Sequence, residues 1–205
     1  MKKYIVELVS TAIFIFTILT VTAIGSAVLV PMTVGICLAV LIYMGASVSG
    51  AHYNPAVTLA LWLRKKIVFK QAFWYVVMQL IGAVIAYFLY SKWLNLHHAQ
   101  VQLAPSLQSV FIAEIIYTFM LVSVVLHTAA SKSTAGNNYF GLAIGAVVMV
   151  GIASVGGISG GFFNPAVLLG LGLFGLSKFG WMTILGANIC GAICGAIFHA
   201  ITQEK

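Results

Sequence analysis

Apolar segments long enough to cross a lipid bilayer fill almost the whole of this 205-residue chain. A helix needs about 20 apolar residues to cross the roughly 30 Å hydrocarbon core. Hydrophobic residues make up 62% of the sequence and charged residues only 6%, whereas a soluble globular domain carries roughly 25% charge. The sequence therefore predicts an all-α membrane protein surrounded by the lipid bilayer, with no soluble domain.

Six of these segments are predicted to be transmembrane helices: residues 4–24, 31–48, 71–92, 110–128, 139–155 and 178–201. The first is much longer than the apolar core of a signal peptide, so we interpret it as a span. With six crossings, eight of the ten basic residues fall on one side of the membrane: Lys2, Lys3, Arg64, Lys65, Lys66, Lys70, Lys132 and Lys205. Because basic loops are retained in the cytoplasm, both termini are predicted to be cytoplasmic in a multi-pass protein of the plasma (inner) membrane. The basic residues thus report topology and do not form a patch for nucleic acid.

Two apolar stretches fit neither one crossing nor two. Residues 31–63 contain no charged residue, and residues 139–177 have the same character. Each stretch leaves a piece of about 10–14 residues beside its span, which is the length of a re-entrant segment. An Asn-Pro-Ala triplet falls in each piece, and the two triplets are Asn54, Pro55, Ala56 and Asn164, Pro165, Ala166.

The triplets belong to an internal repeat with an offset close to 110 residues. Both are preceded by a Ser-Gly pair, and a Glu-x-x-x-Thr pattern that begins at Glu7 in the first span recurs at Glu114 in the fourth. We therefore predict a single domain, 1–205, made of one repeat of about 1–98 and a second of about 107–205. Each repeat holds three helices, an odd number, so the second enters the membrane inverted relative to the first.

Each Asn-Pro-Ala triplet is typical of a helix start. Asn is a preferred N-cap, and Pro suits the first helical position because it has no N–H group to leave unbonded. Asn54 and Asn164 are therefore predicted to begin two re-entrant half-helices that approach each other from opposite faces. If each Asn oxygen caps its own helix, its NH₂ group can donate into a pore. Two helix N-termini that point at one place would also repel cations there.

The chain resembles the aquaporin and glycerol facilitator family, the major intrinsic proteins, over nearly all of its 205 residues. Two Asn-Pro-Ala triplets at this spacing, each after Ser-Gly and each with an upstream Glu-x-x-x-Thr span, carry the resemblance. It implies six tilted spans, two half-helices, a homotetramer and one pore in each protomer. It also implies that a ladder of backbone carbonyls lines the pore, from Gly50, Ala51, His52, Gly160, Gly161 and Phe162.

The resemblance also gives a role to two carboxylates inside the membrane. A carboxylate there by default indicates an ion or proton relay. In the matching family position, Glu7 and Glu114 would instead accept backbone N–H groups of the re-entrant loops, and we favour this loop-bracing role. His52, two residues before Asn54, is expected to brace its loop rather than to sense pH.

The sequence departs from the family at the narrow outer filter. Four positions usually form that filter, one of them an arginine three residues after the second asparagine. Here that residue is Val167, and the other positions correspond to Val34, Ile152 and Gly161. The aromatic and histidine set of water-selective members and the two aromatics of glycerol facilitators are both absent, and Leu168 replaces the acidic residue typical of the latter.

Two consequences of this filter stay open. In the first, loss of the guanidinium widens the site for larger neutral solutes, and Gly161 provides space. In the second, Ile152 intrudes into a narrow aliphatic ring, which dewets and therefore passes water slowly.

We assign the small residues to helix packing and the loop histidines to a solvated loop. Gly141 with Gly145, and Gly191 with Gly195, have the small-xxx-small spacing of closely packed membrane helices. The histidines at 97–98 fall between the third and fourth spans, where a solvated loop is expected.

The leading hypothesis is a passive channel for water and small uncharged solutes such as glycerol, urea or ammonia. The alternatives are a secondary transporter of small solutes, which also uses inverted repeats, and a structural membrane protein that conducts poorly. The sequence contains no nucleophile with a base, no metal cluster and no phosphate loop, so no enzyme, cofactor or metal site is predicted.

Overall fold

A computed structural model of the chain describes residues 1–94, 106–173 and 178–203. Within those ranges the chain forms helices and no strand. The end of the first predicted repeat, with the loop histidines at 97–98, lies outside the described residues, as does the extreme C-terminus.

The described residues form eight α-helices. They are α1 (Lys2–Ile24), α2 (Leu29–Ser49), α3 (Pro55–Leu63), α4 (Phe69–Leu89), α5 (Leu107–Val124), α6 (Phe140–Ser159), α7 (Pro165–Gly172) and α8 (Lys178–Thr202). A π-helical turn, Tyr90–Leu94, continues α4, and another, Val125–Ala129, continues α5. The segment between α5 and α6 contains the short 3₁₀ turn Lys132–Thr134.

Six of these helices, counting the π-helical turns with α4 and α5, are long and apolar enough to cross a membrane. They coincide with the six predicted spans, which are confirmed to within a few residues at most ends. The prediction ended the fifth span at residue 155, whereas α6 continues to Ser159. The glycines at 156–157 do not end the helix; it ends where Gly160 adopts a left-handed backbone with a φ of 92°.

The remaining two helices, α3 and α7, have 9 and 8 residues and are too short to cross. Each is a half-helix between the second and third spans of its repeat. The half-helices contact each other, and each also packs against the opposite half of the chain: α3 on α8, and α7 on α4 and α1. The predicted fold of six spans and two half-helices in an inverted repeat is confirmed.

Glycines allow the long helices to approach closely at matching places in the two repeats. A Cβ atom added at Gly82 of α4 would lie 2.6 Å from the carbonyl oxygen of Leu8 in α1, and one at Gly191 of α8 would lie 2.8 Å from that of Ile115 in α5. Between the repeats, α2 meets α6 where Gly35 faces Gly145. The close packing predicted from small-xxx-small spacing is confirmed, since a Cβ at Gly141 or Gly195 would also collide with a neighbouring helix.

Candidate pore and its two Asn-Pro-Ala loops

Two loops of unusual backbone conformation connect the spans to the half-helices. Gly50 and Gly160 end α2 and α6 in the left-handed region, with φ of 86° and 92°. Three residues further on, Tyr53 and Phe163 are also left-handed, both with φ of 50°. A non-glycine residue rarely adopts this conformation, so contacts from the rest of the protein must hold each loop.

Glu7 provides those contacts in the first repeat. It is fully buried in α1, and one carboxylate oxygen accepts the Ser49 hydroxyl at 2.7 Å and the His52 N–H at 3.0 Å. The other oxygen accepts the Tyr53 N–H and the Gln79 side-chain amide, both at 2.8 Å. Four donors therefore converge on one carboxylate, and two of them belong to the left-handed loop.

Glu114 has the same arrangement in the second repeat. Its carboxylate, also fully buried, accepts the Ser159 hydroxyl at 2.7 Å, the N–H groups of Phe162 and Phe163 at 2.9 and 2.8 Å, and the Asn188 side-chain amide at 2.9 Å. The two carboxylates thus occupy the positions that the loop-bracing role requires. Both are saturated by donors that are fixed in place.

The two asparagines cap their own half-helices and cross-link the loops. The Asn54 side-chain oxygen accepts the Ala56 N–H at 2.8 Å, and the Asn164 oxygen accepts the Ala166 N–H at 2.9 Å. Each NH₂ group donates one N–H to the other loop: Asn54 to the Phe163 carbonyl at 2.9 Å, and Asn164 to the Tyr53 carbonyl at 3.0 Å. The sequence argument left the whole NH₂ group free. Because the loops meet so closely, only the second N–H of each remains for a solute.

One cavity of about 250 Å³ runs along these loops. It is lined by both asparagines, by the four predicted filter residues and by every residue of the predicted carbonyl ladder: Asn54, Asn164, Val34, Ile152, Gly161, Val167, Gly50, Ala51, His52, Gly160 and Phe162. The structure therefore brings together residues that are far apart in the sequence.

The prolines and alanines of the triplets lie outside the lining of this cavity. Pro55, Ala56 and Pro165 line a separate apolar cavity beside α4 and α8, and Ala166 is buried. The cap residue of a half-helix faces the pore, but the next positions turn with the helix toward its other side.

The predicted filter residues are aliphatic side chains and a glycine, and none of them carries a charge. Val34 and Val167 are 1% and 4% exposed. A Cβ atom added at Gly161, whose φ is 69°, would lie 3.1 Å from the side chain of Ile152. The side chain of Ile152 therefore packs on the Cβ side of Gly161, while Gly161 still borders the cavity.

Sequence reasoning gave no functional role to several polar residues at the site. Gln79 and Asn188 complete the carboxylate clusters, and their shared repeat position could have indicated a shared role. Thr128, Thr134 and Asn137 line the cavity end near the segment between α5 and α6. They have no counterpart in the first repeat that would have revealed them. Among the described residues, no group of His, Cys, Asp and Glu side chains could hold a metal ion.

The fold and the loops define a membrane channel: two inverted halves, two capped half-helices that meet inside the membrane, and a cavity that follows both loops. Comparison with known proteins makes the assignment specific. The family model described as "Major intrinsic protein" matches residues 1–199. The chain belongs to the major intrinsic protein family. The prediction of a channel, and not an enzyme, is confirmed by this membership.

Individual relatives agree with this membership. The chain is 32% identical to "Aquaporin NIP3-1" of Arabidopsis thaliana, over 99% of this chain and 68% of that protein. It is 30% identical to "Glycerol uptake facilitator protein-like 6" of Lactiplantibacillus plantarum, over 96% and 95%. The fold is similar to that in the X-ray structure of the aquaglyceroporin from Plasmodium falciparum, with a TM-score of 0.83, 24% identity and coverage of 98% and 96%.

Proposed function

We propose that this protein is a passive channel for water and small uncharged solutes, with the cavity along the two loops as its pore. The observation that carries the proposal is the lining: both Asn-Pro-Ala asparagines and all four filter residues border one cavity, and among the described residues no Asp, Glu, Lys or Arg does. Relatives named as an aquaporin and as a glycerol uptake facilitator support these two solute classes.

Ions are excluded at the middle of the pore. The N-termini of α3 and α7 meet there, and each helix start carries about half an elementary positive charge. The remaining N–H groups of Asn54 and Asn164 add donors at the same level. A neutral molecule can accept these hydrogen bonds, whereas a cation is repelled and finds no carboxylate in the lining.

Transport coupled to an ion is disfavoured because the buried carboxylates are already hydrogen-bonded to protein donors. Glu7 and Glu114 are the carboxylates among the described residues, and each already accepts four hydrogen bonds from the protein. A coupling ion would have to displace donors that hold the loops. The carboxylates therefore serve the structure of the pore.

We further propose that the face carrying Lys2, Lys3, the residues 64–70 and Lys132 is cytoplasmic in the plasma (inner) membrane, as the positive-inside rule indicates. The protomers assemble as a homotetramer, as the family resemblance implies. Exposed apolar side chains such as Ile36 of α2 and Ile116 of α5 provide surface for lipid or neighbouring protomers.

The proposal is tested by light scattering on proteoliposomes with water, glycerol and urea gradients. Flux should be linear in the gradient and insensitive to ionophores. Val167→Trp, which places a large ring in the filter, should abolish the flux, whereas Val150→Trp should not, since Val150 lies on the outer surface of α6 with 45% exposure. Tetramers that conduct no better than protein-free liposomes would instead indicate a structural protein.

A further inference from the structure

The filter half of the cavity is the part lined by Val34, Ile152, Gly160, Gly161, Phe162 and Val167. The side chains of these residues carry no hydrogen-bond donor. The hydroxyl of Thr22, which also lines the cavity, donates to the Ile18 carbonyl at 2.7 Å. The backbone N–H groups of Gly160, Gly161 and Phe162 donate within the protein, to the Gly156 carbonyl at 2.9 Å, the Ser159 hydroxyl at 3.1 Å and the Glu114 carboxylate at 2.9 Å.

The carbonyl oxygens of the same loop residues are left without partners. No described residue donates a hydrogen bond to the carbonyls of Gly160, Gly161 or Phe162. Within the described part of the chain, a solute in the filter half therefore meets backbone acceptors and no side-chain donor.

The other half of the cavity is richer in polar groups, but its donors are also engaged. Thr128 donates to the Val124 carbonyl at 2.7 Å, and Thr134 donates to the His127 carbonyl at 2.6 Å. The NH₂ group of Asn137 donates to the carbonyls of Thr128 and Thr134 at 2.7 and 2.6 Å. These groups keep free lone pairs but offer few free hydrogens.

His52 also lines the cavity, and its Nδ1 lies 3.0 Å from the Thr58 hydroxyl oxygen. That hydroxyl has one hydrogen and also lies 3.0 Å from the Asn54 carbonyl. When the hydroxyl donates to the carbonyl, His52 donates to the hydroxyl through Nδ1, and its Nε2 is a lone-pair acceptor.

Among the described residues that line the cavity, Asn54 and Asn164 at its middle each keep one free side-chain N–H. A solute that leaves water must replace its lost hydrogen bonds, and a group left unpaired makes passage unfavourable. Along this lumen the N–H and O–H groups of a solute find carbonyl partners, but its oxygen lone pairs find none until the middle. The balance of donors and acceptors in the solute therefore decides how easily it passes.

We infer that this pore favours small neutral solutes that are rich in N–H donors and poor in acceptors, such as urea, primary amides and ammonia. An amide NH₂ brings two donors, whereas each hydroxyl of a polyol brings one donor and two acceptor lone pairs. The inference rests on the proposed channel function and specifies its solute class.

The test uses three solutes with four heavy atoms and one carbonyl each: urea, acetamide and N-methylformamide. Their N–H groups number four, two and one, so shape stays similar while donor count falls. Permeabilities are measured in wild-type proteoliposomes by light scattering, with the protein-free rate subtracted. Val167→Trp serves as the blocked control and Val150→Trp as the matched surface control.

The channel-dependent permeability should fall in the order urea, acetamide, N-methylformamide. The loss of about one net hydrogen bond at each step lowers the permeability by roughly three- to tenfold. A filter that selects only by dewetting gives the reverse order, because the more apolar amide enters it more easily. Water flux combined with a flat, reversed or undetectable amide series would overturn the inference. If neither water nor amide flux is detected, the result would instead overturn the proposed channel function.

Discussion

The side-chain NH₂ of Asn54 donates a hydrogen bond to the backbone carbonyl of Phe163, 2.9 Å away, in the loop of the other repeat. Asn164 returns the same contact to Tyr53. Each cap residue therefore stabilises two loops at once, its own through the side-chain oxygen and the opposite one through the side-chain nitrogen. A change at either asparagine is expected to affect both halves of the pore.

Asn164→Asp should weaken cation exclusion and lower stability together. The carboxylate can still accept the Ala166 N–H, but it cannot donate to the Tyr53 carbonyl and puts negative charge beside that oxygen. Proton and sodium leak into proteoliposomes should rise, and the melting temperature of the purified protein should fall. Asn54→Asp, its counterpart in the first repeat, should behave alike. Unchanged leak in a correctly folded Asn164→Asp protein would count against the exclusion mechanism.

Glu114→Gln should destabilise the protein moderately, and Glu114→Ala more strongly. The glutamine amide keeps one side-chain oxygen as an acceptor, but its NH₂ group replaces the other oxygen. The backbone N–H of Phe162 or Phe163 that bonded to that other oxygen then has no acceptor. One unpaired buried N–H costs about 1–3 kcal/mol, and Ala leaves four donors unpaired. Thermal unfolding in detergent gives the order of stability, and flux at a permissive temperature shows whether the folded pore conducts. A stable, folded Glu114→Gln protein without flux would point to a proton relay.

Val167→Arg should lower the permeability to solutes larger than water. The longer side chain fills the filter beside Ile152 and supplies donors that a compact molecule uses more easily. If the native filter is dewetted, the new donors should raise water flux; if it is open, water flux should fall modestly. The measurement compares the glycerol-to-water and urea-to-water permeability ratios of the two proteins. Unaltered ratios in a folded Val167→Arg protein would show that residue 167 does not line the filter.

Gly145→Ala should destabilise the contact between α2 and α6. The added Cβ would collide with the carbonyl oxygen of Gly35 and would lie 2.9 Å from the Cβ of Ala39. Overpacking of this kind costs about 1–3 kcal/mol. Gly157→Ala is the matched control in the same helix, since a Cβ there meets nothing within 4 Å and alanine favours helix. Equal melting temperatures for the two variants would contradict the proposed close approach.

The sequence predicts the spans well because hydropathy and length are local properties. The caps are predictable for the same reason: Asn and Pro at 54–55 and 164–165 fit only a helix start. The partners of Glu7 and Glu114, by contrast, include Gln79 and Asn188, which are remote in sequence. The hydrogen bond from Asn54 to Phe163 depends on how two loops meet, and the contact of Ile152 with Gly161 depends on how α6 packs. The hydrophobic periodicity of the sequence does not predict such contacts.

The hydrogen bonds between the two loops have a consequence for the biosynthesis of the protein. Phe163 follows α6, so Asn54 has no second loop to bond until the fifth span has entered the membrane. While the first three spans are being made, the loop of the first repeat is therefore held from within its own repeat, through Glu7. The cavity gains its second wall only when the inverted repeat joins the first.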